Sequence, residues 1–298
     1  MDPEKTVGLV GIGLVGTAIA ENLLASGFVV VGFARREVKR REFQRLGGQP
    51  VESLDEVARS TSRVILSLSD SDAVEEVVLG PGGLLGAVSA LRVIIDTTTG
   101  EPDRTEVLAR RLSDRGIRLV DAPISGSSEQ IRKRQGVVLI GGERTAYESC
   151  LDLIQILSEK HYYLGGPGAG SRAKLASNLI LGLNRLVLAE GLVFAKRLGL
   201  DPGTFLAMAK TTPAYSAAMD VKGEKMLRDD FAPQSRITQH HKDLRIILEY
   251  ADRLEQELPL ARLHKNILEK CIAAGEGDLD TSAVIREIRR MGNPDKRQ

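Results

Sequence analysis

Short apolar runs recur through the first half of the chain, each followed by residues with helical spacing. Val7–Val10 is apolar and ends in glycine, and Thr17–Ser26 reads as a helix that stops at Gly27. Phe28–Phe33 is a second β-rich run. Val38–Leu46 is charged and helical, ending at Gly47-Gly48, and a helix opens near Ser53. Arg63–Leu68 and Val93–Asp96 read as a third and a fourth strand, a helix covers about Arg104–Arg115, and Leu119–Val120 and Val137–Ile140 are further strands. Strands alternating with helices imply βαβ units and a mostly parallel sheet. Near-continuous apolar strands imply a sheet covered on both faces.

The pattern changes after Gly165-Gly166-Pro167-Gly168. From there no run reads convincingly as a strand. Ala169–Leu198 is helical and apolar on a broad front, which predicts a long buried helix. Asp201-Pro202 opens another helix, and Leu244, Ile247, Leu248, Ala251 and Leu254 follow the i, i+3, i+4 spacing of an amphipathic one. The expected fold is therefore α/β: an N-terminal Rossmann-type, mostly parallel sheet over residues 1–166. An all-helical domain over residues 167–298 follows, joined by the long helix, with the break near Gly165–Gly170. The polar tail Gly292–Gln298 is expected to fray.

Composition narrows the function. The chain has 298 residues, 42% hydrophobic and 27% charged, with a net charge of +1. These are ordinary globular values, and the charge gives no global attraction toward nucleic acid or an acidic membrane. Cys150 and Cys271 are too few for a disulfide framework, as expected of a cytoplasmic protein. No secretory signal pattern stands at Met1–Thr6. Leu175–Leu188, the most apolar long stretch, is interrupted by Asn178, Asn184 and Arg185 and reads as too short and too polar to span a membrane. No Cys/His cluster has metal-site spacing.

The first candidate chemistry lies in Gly11-Ile12-Gly13-Leu14-Val15-Gly16, a G-x-G-x-x-G that follows a predicted strand and opens a predicted helix. In that context the first glycine permits the tight turn. The second lets backbone approach a pyrophosphate, and the third lets the helix pack on the strand. The helix N-terminus, with Leu14 and Val15 in its first turn, offers free N–H groups to phosphate. At the end of the second strand an NAD-preferring site carries an acid for the ribose hydroxyl. This chain has Ala34-Arg35-Arg36, with Glu37 only afterwards. Two guanidinium groups there suit a 2′-phosphate, so NADP is expected ahead of NAD. The competing reading makes Arg35, Arg36, Lys39, Arg40 and Arg41 a solvated helix face.

On the long helix, Lys174 and Asn178 share one face, with Gly182 as its next position and room expected there. A lysine and an amide on an apolar helix either border a polar cleft or snorkel to the surface, and spacing alone leaves both open. Three further stretches accompany them: Asp121-Ala122-Pro123-Ile124-Ser125-Gly126, Gly168 to Asn178, and His240-His241-Lys242-Asp243-Leu244. With the N-terminal fingerprint, in this order, they closely resemble the β-hydroxyacid dehydrogenases over about Val7–Leu254.

The resemblance implies the roles. Lys174 would be the general acid or base, and Asn178 the amide that hydrogen-bonds substrate. Ser125 and Gly126 would form the loop that grips the substrate carboxylate, although proline, serine and glycine also make ordinary turns. Lys242 aligns with a lysine at the cofactor and substrate, and His240 with a histidine found in some members. Ser67, Leu68 and Ser69 end the third strand, at the edge where such sheets bind ligands. Asp96-Thr97-Thr98-Thr99 resembles the segment beside the nicotinamide, with Thr99 as the candidate contact. The chain departs from the family in four places. Ser177 replaces the first of two asparagines, Ser127 replaces a glycine, and Ser235 stands where an aromatic is common. The segment Ser128–Gln135, with Arg132, Lys133 and Arg134, is longer, either to admit a larger or more acidic substrate or as a solvated loop.

The implied function is NAD(P)-dependent hydride transfer on a small 3-hydroxy acid or its semialdehyde, in a homodimer or homotetramer, with no nucleic-acid or membrane partner. An imine reductase shares the overall plan but usually replaces the lysine. A phosphogluconate-type enzyme is expected to be longer. A non-catalytic dinucleotide sensor would have no use for Lys174, Asn178 and Ser125 together.

Overall fold

The computed structural model describes residues 5–86 and 90–292. Most of the tail expected to fray, residues 293–298, and the first four residues lie outside them. Two compact units divide the chain, Met1–Lys174 and Leu175–Gln298.

In the first unit the elements run β1 (Thr6–Val10), α1 (Leu14–Ala25), β2 (Val29–Phe33), α2 (Glu37–Arg45), β3 (Gln49–Pro50), α3 (Leu54–Ser60), β4 (Arg63–Leu66), α4 (Ser71–Leu79), β5 (Val93–Asp96), α5 (Pro102–Ser113) and β6 (Arg118–Asp121). They continue through β7 (Ile124–Ser125), α6 (Ser128–Arg132), β8 (Val137–Gly142), α7 (Arg144–Glu148), α8 (Leu151–Leu157) and β9 (Lys160–Gly165). The described strands form one sheet in the order β3-β2-β1-β4-β5-β6-β8-β7, with β9 on β8. Pairing is parallel from β3 through β6, while β8 runs antiparallel to β6 and β7. β1, β4 and β5 are buried along nearly their whole length, as apolar strands between two helical layers must be. One face packs Leu9, Ile65 and Ile95 with Ile19 and Leu23 of α1, and the other packs Val10, Val64 and Ile94 with Leu108 and Leu112 of α5. The N-cap at Ser53, whose hydroxyl accepts the Glu56 N–H, starts α3 at the position expected from sequence.

α9 (Ala169–Arg197) carries the chain into the second unit. There follow α10 (Pro202–Ala209), α11 (Ala217–Arg228), α12 (Ile237–Arg253), α13 (Pro259–Ala273), a 3₁₀ turn at Thr281–Ala283 and α14 (Val284–Met291). No strand is found here among the described residues, only a bridge between Arg236 and Asp280. Leu186, Ala189 and Leu192 of α9 pack with Leu244 and Ile247 of α12 and with Ile267 and Cys271 of α13. The expectation about Leu175–Leu188 needs correction. That stretch belongs to a 29-residue helix with an 18-residue window of mean hydropathy 1.5, long and apolar enough to cross a membrane by length and composition. Its apolarity has a local cause, since Leu175, Leu186 and Leu188 belong to the core just described.

Candidate active site

The sheet order reverses at β1, with β2 and β3 on one side and β4, β5 and β6 on the other. The carboxyl ends of strands at such a switch point form a crevice. Gly11 adopts φ +94°, and a Cβ there would collide with the Ser67 carbonyl. A Cβ on Gly16 would collide with the Gly11 carbonyl oxygen. These two glycines are demanded by the protein's own backbone. Gly13 differs, because a Cβ there would meet nothing within 4 Å. It is the N-cap of α1, and no side chain caps that helix. Open space in front of uncapped N–H groups of Leu14, Val15 and Gly16 is what a pyrophosphate requires, so the turn fits a dinucleotide.

At the end of β2, Arg36 is the N-cap of α2 and is exposed, and its guanidinium has no hydrogen-bonded or ion-paired partner among the described residues. Arg35 is exposed too and reaches Glu76 only at 3.8 Å. The other cations of this stretch are engaged. Lys39 pairs with Glu42 and Arg41 with Glu37. Arg40 folds back so that its Nη1 donates to the Ala34 and Arg35 carbonyls at 2.9 and 3.3 Å. The basic run is therefore divided between a helix face and two available guanidinium groups, and Arg40 braces the turn that presents them.

The ends of β4 and β5 are stitched together. The Leu68 N–H donates to Thr98 Oγ1 at 3.1 Å, Thr97 Oγ1 donates to the Leu66 carbonyl at 2.7 Å, and the Thr98 N–H donates to Asp96 Oδ1 at 2.9 Å. Thr97 and Thr98 are buried bracing residues, whereas Ser69 is exposed and Thr99 half-buried on the same edge.

Asp121 ends β6 and is 1% exposed. Its Oδ1 accepts the Gly168 N–H at 3.0 Å, and its Oδ2 accepts the N–H and hydroxyl of Ser171 at 2.9 and 3.2 Å. The carboxylate thus caps the first turn of α9. Burial holds its pKa above the usual carboxylate range despite those three donors. One turn on, the buried Lys174 donates from Nζ to the Ile124 carbonyl at 2.8 Å, beside Ser125 and Gly126. The lysine, the serine and the glycine are thus gathered at β7. The Ser125 hydroxyl makes no hydrogen bond to a described residue.

Ser127 has a structural task. Its hydroxyl accepts the Gln130 N–H at 3.2 Å, and its own N–H donates to Gln130 Oε1 at 2.9 Å, a capping box that starts α6. The basic segment behind it is fully engaged. Arg132 pairs with Glu21 and Glu129, Lys133 pairs with Glu129, and Arg134 donates to the Gln155 carbonyl. That arrangement fits a solvated surface turn.

In the second unit, Asn178 Nδ2 donates to Asp243 Oδ2 at 2.8 Å, and Lys242 Nζ lies 3.2 Å from Asp243 Oδ1. The candidate amide and the candidate lysine are thus held through one carboxylate. The room expected beside Gly182 is filled, since a Cβ there would meet His240 and His264, whose rings are 5.2 Å apart. Gly182 is needed for that packing, and His240, 4% exposed, is an interior residue. Sequence reasoning gave no role to Asp121, whose partners lie 47 and 50 residues away, nor to Arg185 or His264.

Comparison with known proteins bears on this arrangement. Residues 6–165 match the model described as the NAD binding domain of 6-phosphogluconate dehydrogenase. Residues 168–288 match the one described as the NAD-binding of NADP-dependent 3-hydroxyisobutyrate dehydrogenase. The chain is 33% identical over 246 residues to 2-(hydroxymethyl)glutarate dehydrogenase of Eubacterium barkeri, covering 82% of each. It is 30% identical to 2-hydroxy-3-oxopropionate reductase of Escherichia coli, over 83% of this chain and 85% of that protein. A 3-hydroxyisobutyrate dehydrogenase from Salmonella typhimurium superposes with a TM-score of 0.85 at 22% identity, over 94% of this chain and 99% of the other.

Proposed function

The chain belongs to the β-hydroxyacid dehydrogenase family of NAD(P)-dependent oxidoreductases, and we propose that it interconverts a small 3-hydroxy acid and its semialdehyde with Lys174 as general acid or base. The observation that carries this reading is the buried Lys174 side chain, whose Nζ donates to the Ile124 carbonyl beside the Ser125 hydroxyl, and that hydroxyl makes no hydrogen bond to a described residue.

The glycine turn and the first N–H groups of α1 receive the pyrophosphate, and Arg35 and Arg36 receive a 2′-phosphate, which favours NADP. Bound there, the nicotinamide dinucleotide supplies or accepts the hydride. Ser125 Oγ and the Gly126 N–H hold the substrate carboxylate. The Ser127 N–H takes no part, because Gln130 occupies it. Lys174 Nζ gives a proton to the carbonyl oxygen in reduction and removes it from the hydroxyl in oxidation. Asn178, fixed by Asp243, orients the substrate, and Lys242 and His240 are the other contacts assigned to the second unit. The lysine also weighs against an imine reductase and a pure sensor.

Ile180, Val187 and Phe194 are each more than 60% exposed and form a stripe along α9 at intervals of seven, and Leu198, equally exposed, follows just beyond its end. This supports a homo-oligomer built on that helix. Two free, buried cysteines are compatible with a cytoplasmic location.

The test is NADPH oxidation with 2-hydroxy-3-oxopropionate and related semialdehyde acids, comparing the native protein with Lys174→Met. Loss of a positioned acid or base is expected to lower kcat about 10²–10⁴-fold while NADPH binding persists. Equal turnover in both proteins refutes the role of the lysine.

A further inference from the structure

The turn between β2 and α2 carries Arg35 and Arg36, and its carbonyls are held one by one. The Phe33 carbonyl accepts the Gly11 N–H at 3.2 Å, which ties the end of β2 to the glycine turn. The Arg36 carbonyl accepts the Lys39 and Arg40 N–H groups at 2.9 and 3.2 Å, which starts α2. Between these anchors, the Ala34 and Arg35 carbonyls have no backbone donor among the described residues. A side chain holds them instead, since Arg40 Nη1 donates to them at 2.9 and 3.3 Å.

The reach of Arg40 follows from its place in the sequence. It is the fourth residue of α2, and long helical side chains lean toward the helix N-terminus, here back over the turn. Its side chain is 20% exposed, against 78% for that of Arg35, so one arginine is folded into the turn and the other stands out from it. Arg40 Nη2 lies 3.4 Å from Glu52 Oε2, a pair that adds little because Glu52 is itself well exposed. Arginine suits the task. Each Nη bears two N–H groups in a fixed plane, so one nitrogen can serve two carbonyls, whereas a lysine ammonium is a single mobile point.

A brace at this place bears on what the two outer arginines can bind. Their long side chains must be ordered on an anion, and a backbone already fixed beneath them removes part of that ordering from the binding step. The brace also engages two carbonyl oxygens, whose partial negative charge opposes an anion at the same turn.

We infer that Arg40 is a positioning residue for cofactor discrimination: through the Ala34 and Arg35 carbonyls it fixes the turn on which Arg35 and Arg36 meet the 2′-phosphate of NADP, and it contributes nothing to the binding of NAD. The inference rests on the 2′-phosphate reading above and deepens it.

The experiment measures NADP⁺ and NAD⁺ affinity by titration calorimetry on the full chain, with no turnover required. The native protein is expected to bind NADP⁺ more tightly. Arg40→Met should weaken NADP⁺ roughly tenfold, the scale of one hydrogen bond to a charged group, and leave NAD⁺ unchanged. Arg40→Lys keeps the charge without the fork and should recover only part of the loss. Full recovery would reduce Arg40 to a nearby charge and overturn the positioning role. Equal weakening of both cofactors would mark a merely structural role, and no weakening of either would leave Arg40 without the assigned task; each result overturns the inference.

A double-mutant cycle separates this from failure of the 2′-phosphate reading. If Arg40 acts through the outer arginines, Arg40→Met should cost no further NADP⁺ affinity once Arg35 and Arg36 are both replaced by alanine. A loss as large as in the native background would show that Arg40 acts independently and would overturn the inference. If Arg35→Ala/Arg36→Ala leaves NADP⁺ affinity unchanged, or the native protein does not discriminate, the 2′-phosphate reading fails and the inference with it. If that double variant loses NADP⁺ affinity while Arg40→Met does not, the reading stands and the inference alone falls.

Discussion

Asp121 connects the sheet to the helix that carries Lys174, and its removal is expected to be felt in both stability and rate. In Asp121→Ala the Gly168 N–H, the Ser171 N–H and the Ser171 hydroxyl all lose their acceptor in a place that is 1% exposed. A buried unsatisfied donor costs about 1–3 kcal/mol. The hydroxyl can turn to another acceptor, but the two backbone groups cannot. Losing a negative charge at the N-terminus of α9 adds about 0.3–1 kcal/mol. Against this, burial outweighs the three hydrogen bonds in setting the Asp121 pKa, so deleting the carboxyl group also relieves a desolvation cost. The net expectation is a loss of about 2–4 kcal/mol. It should appear as a lower urea midpoint for the first unit and as faster hydrogen exchange at Gly168 and Ser171. The activity should fall as well, because Lys174 is one turn beyond Ser171.

Asp121→Asn should lie between native and alanine, since its amide oxygen can satisfy one backbone N–H while its NH₂ faces the other. The pH dependence has a definite sign. A carboxyl group with a raised folded pKa contributes stability below its unfolded value near 3.9 and loses it as the pH rises through the folded value. Asp121→Asn should flatten that decline. An Asp121→Ala protein with an unchanged urea midpoint and unchanged exchange at Gly168 and Ser171 would refute the capping role.

Two shorter predictions follow from the same reasoning. Arg36→Ala removes an exposed guanidinium with no described partner, so kcat/KM for NADPH should fall roughly tenfold or more, with little change for NADH; equal effects on the two cofactors would exclude a 2′-phosphate contact. His264 is pulled down to about 4 by burial and then by Arg185, so its stabilising contribution is present above pH 6.5 and is lost as the pH falls toward 4, about 2 kcal/mol of it by pH 5. Urea midpoints measured between pH 7 and 4.5 should fall less steeply in His264→Leu than in native protein, and parallel slopes would contradict the buried neutral histidine.

Features whose physics is local could be read from the residues in order along the chain. Alternating strand and helix periods predicted the parallel half of the sheet. The spacing of Gly11, Gly13 and Gly16 predicted the turn, because a positive φ and close backbone approaches leave few other residues possible. Lys174 and Asn178 fall one turn apart on α9 for the same kind of reason.

What escaped was non-local. β9 alternates between exposed and half-buried positions on the sheet edge, so it lacks the apolar run that marked the inner strands. The task of Asp121 depends on residues 47 and 50 positions away, and no local pattern announces it. Gly182 was read as room, yet two histidines from α12 and α13 fill it. Backbone conformation is dictated by near neighbours along the chain. The pairing of buried charges depends on which distant side chains the packed elements bring together, and only the tertiary structure decides that.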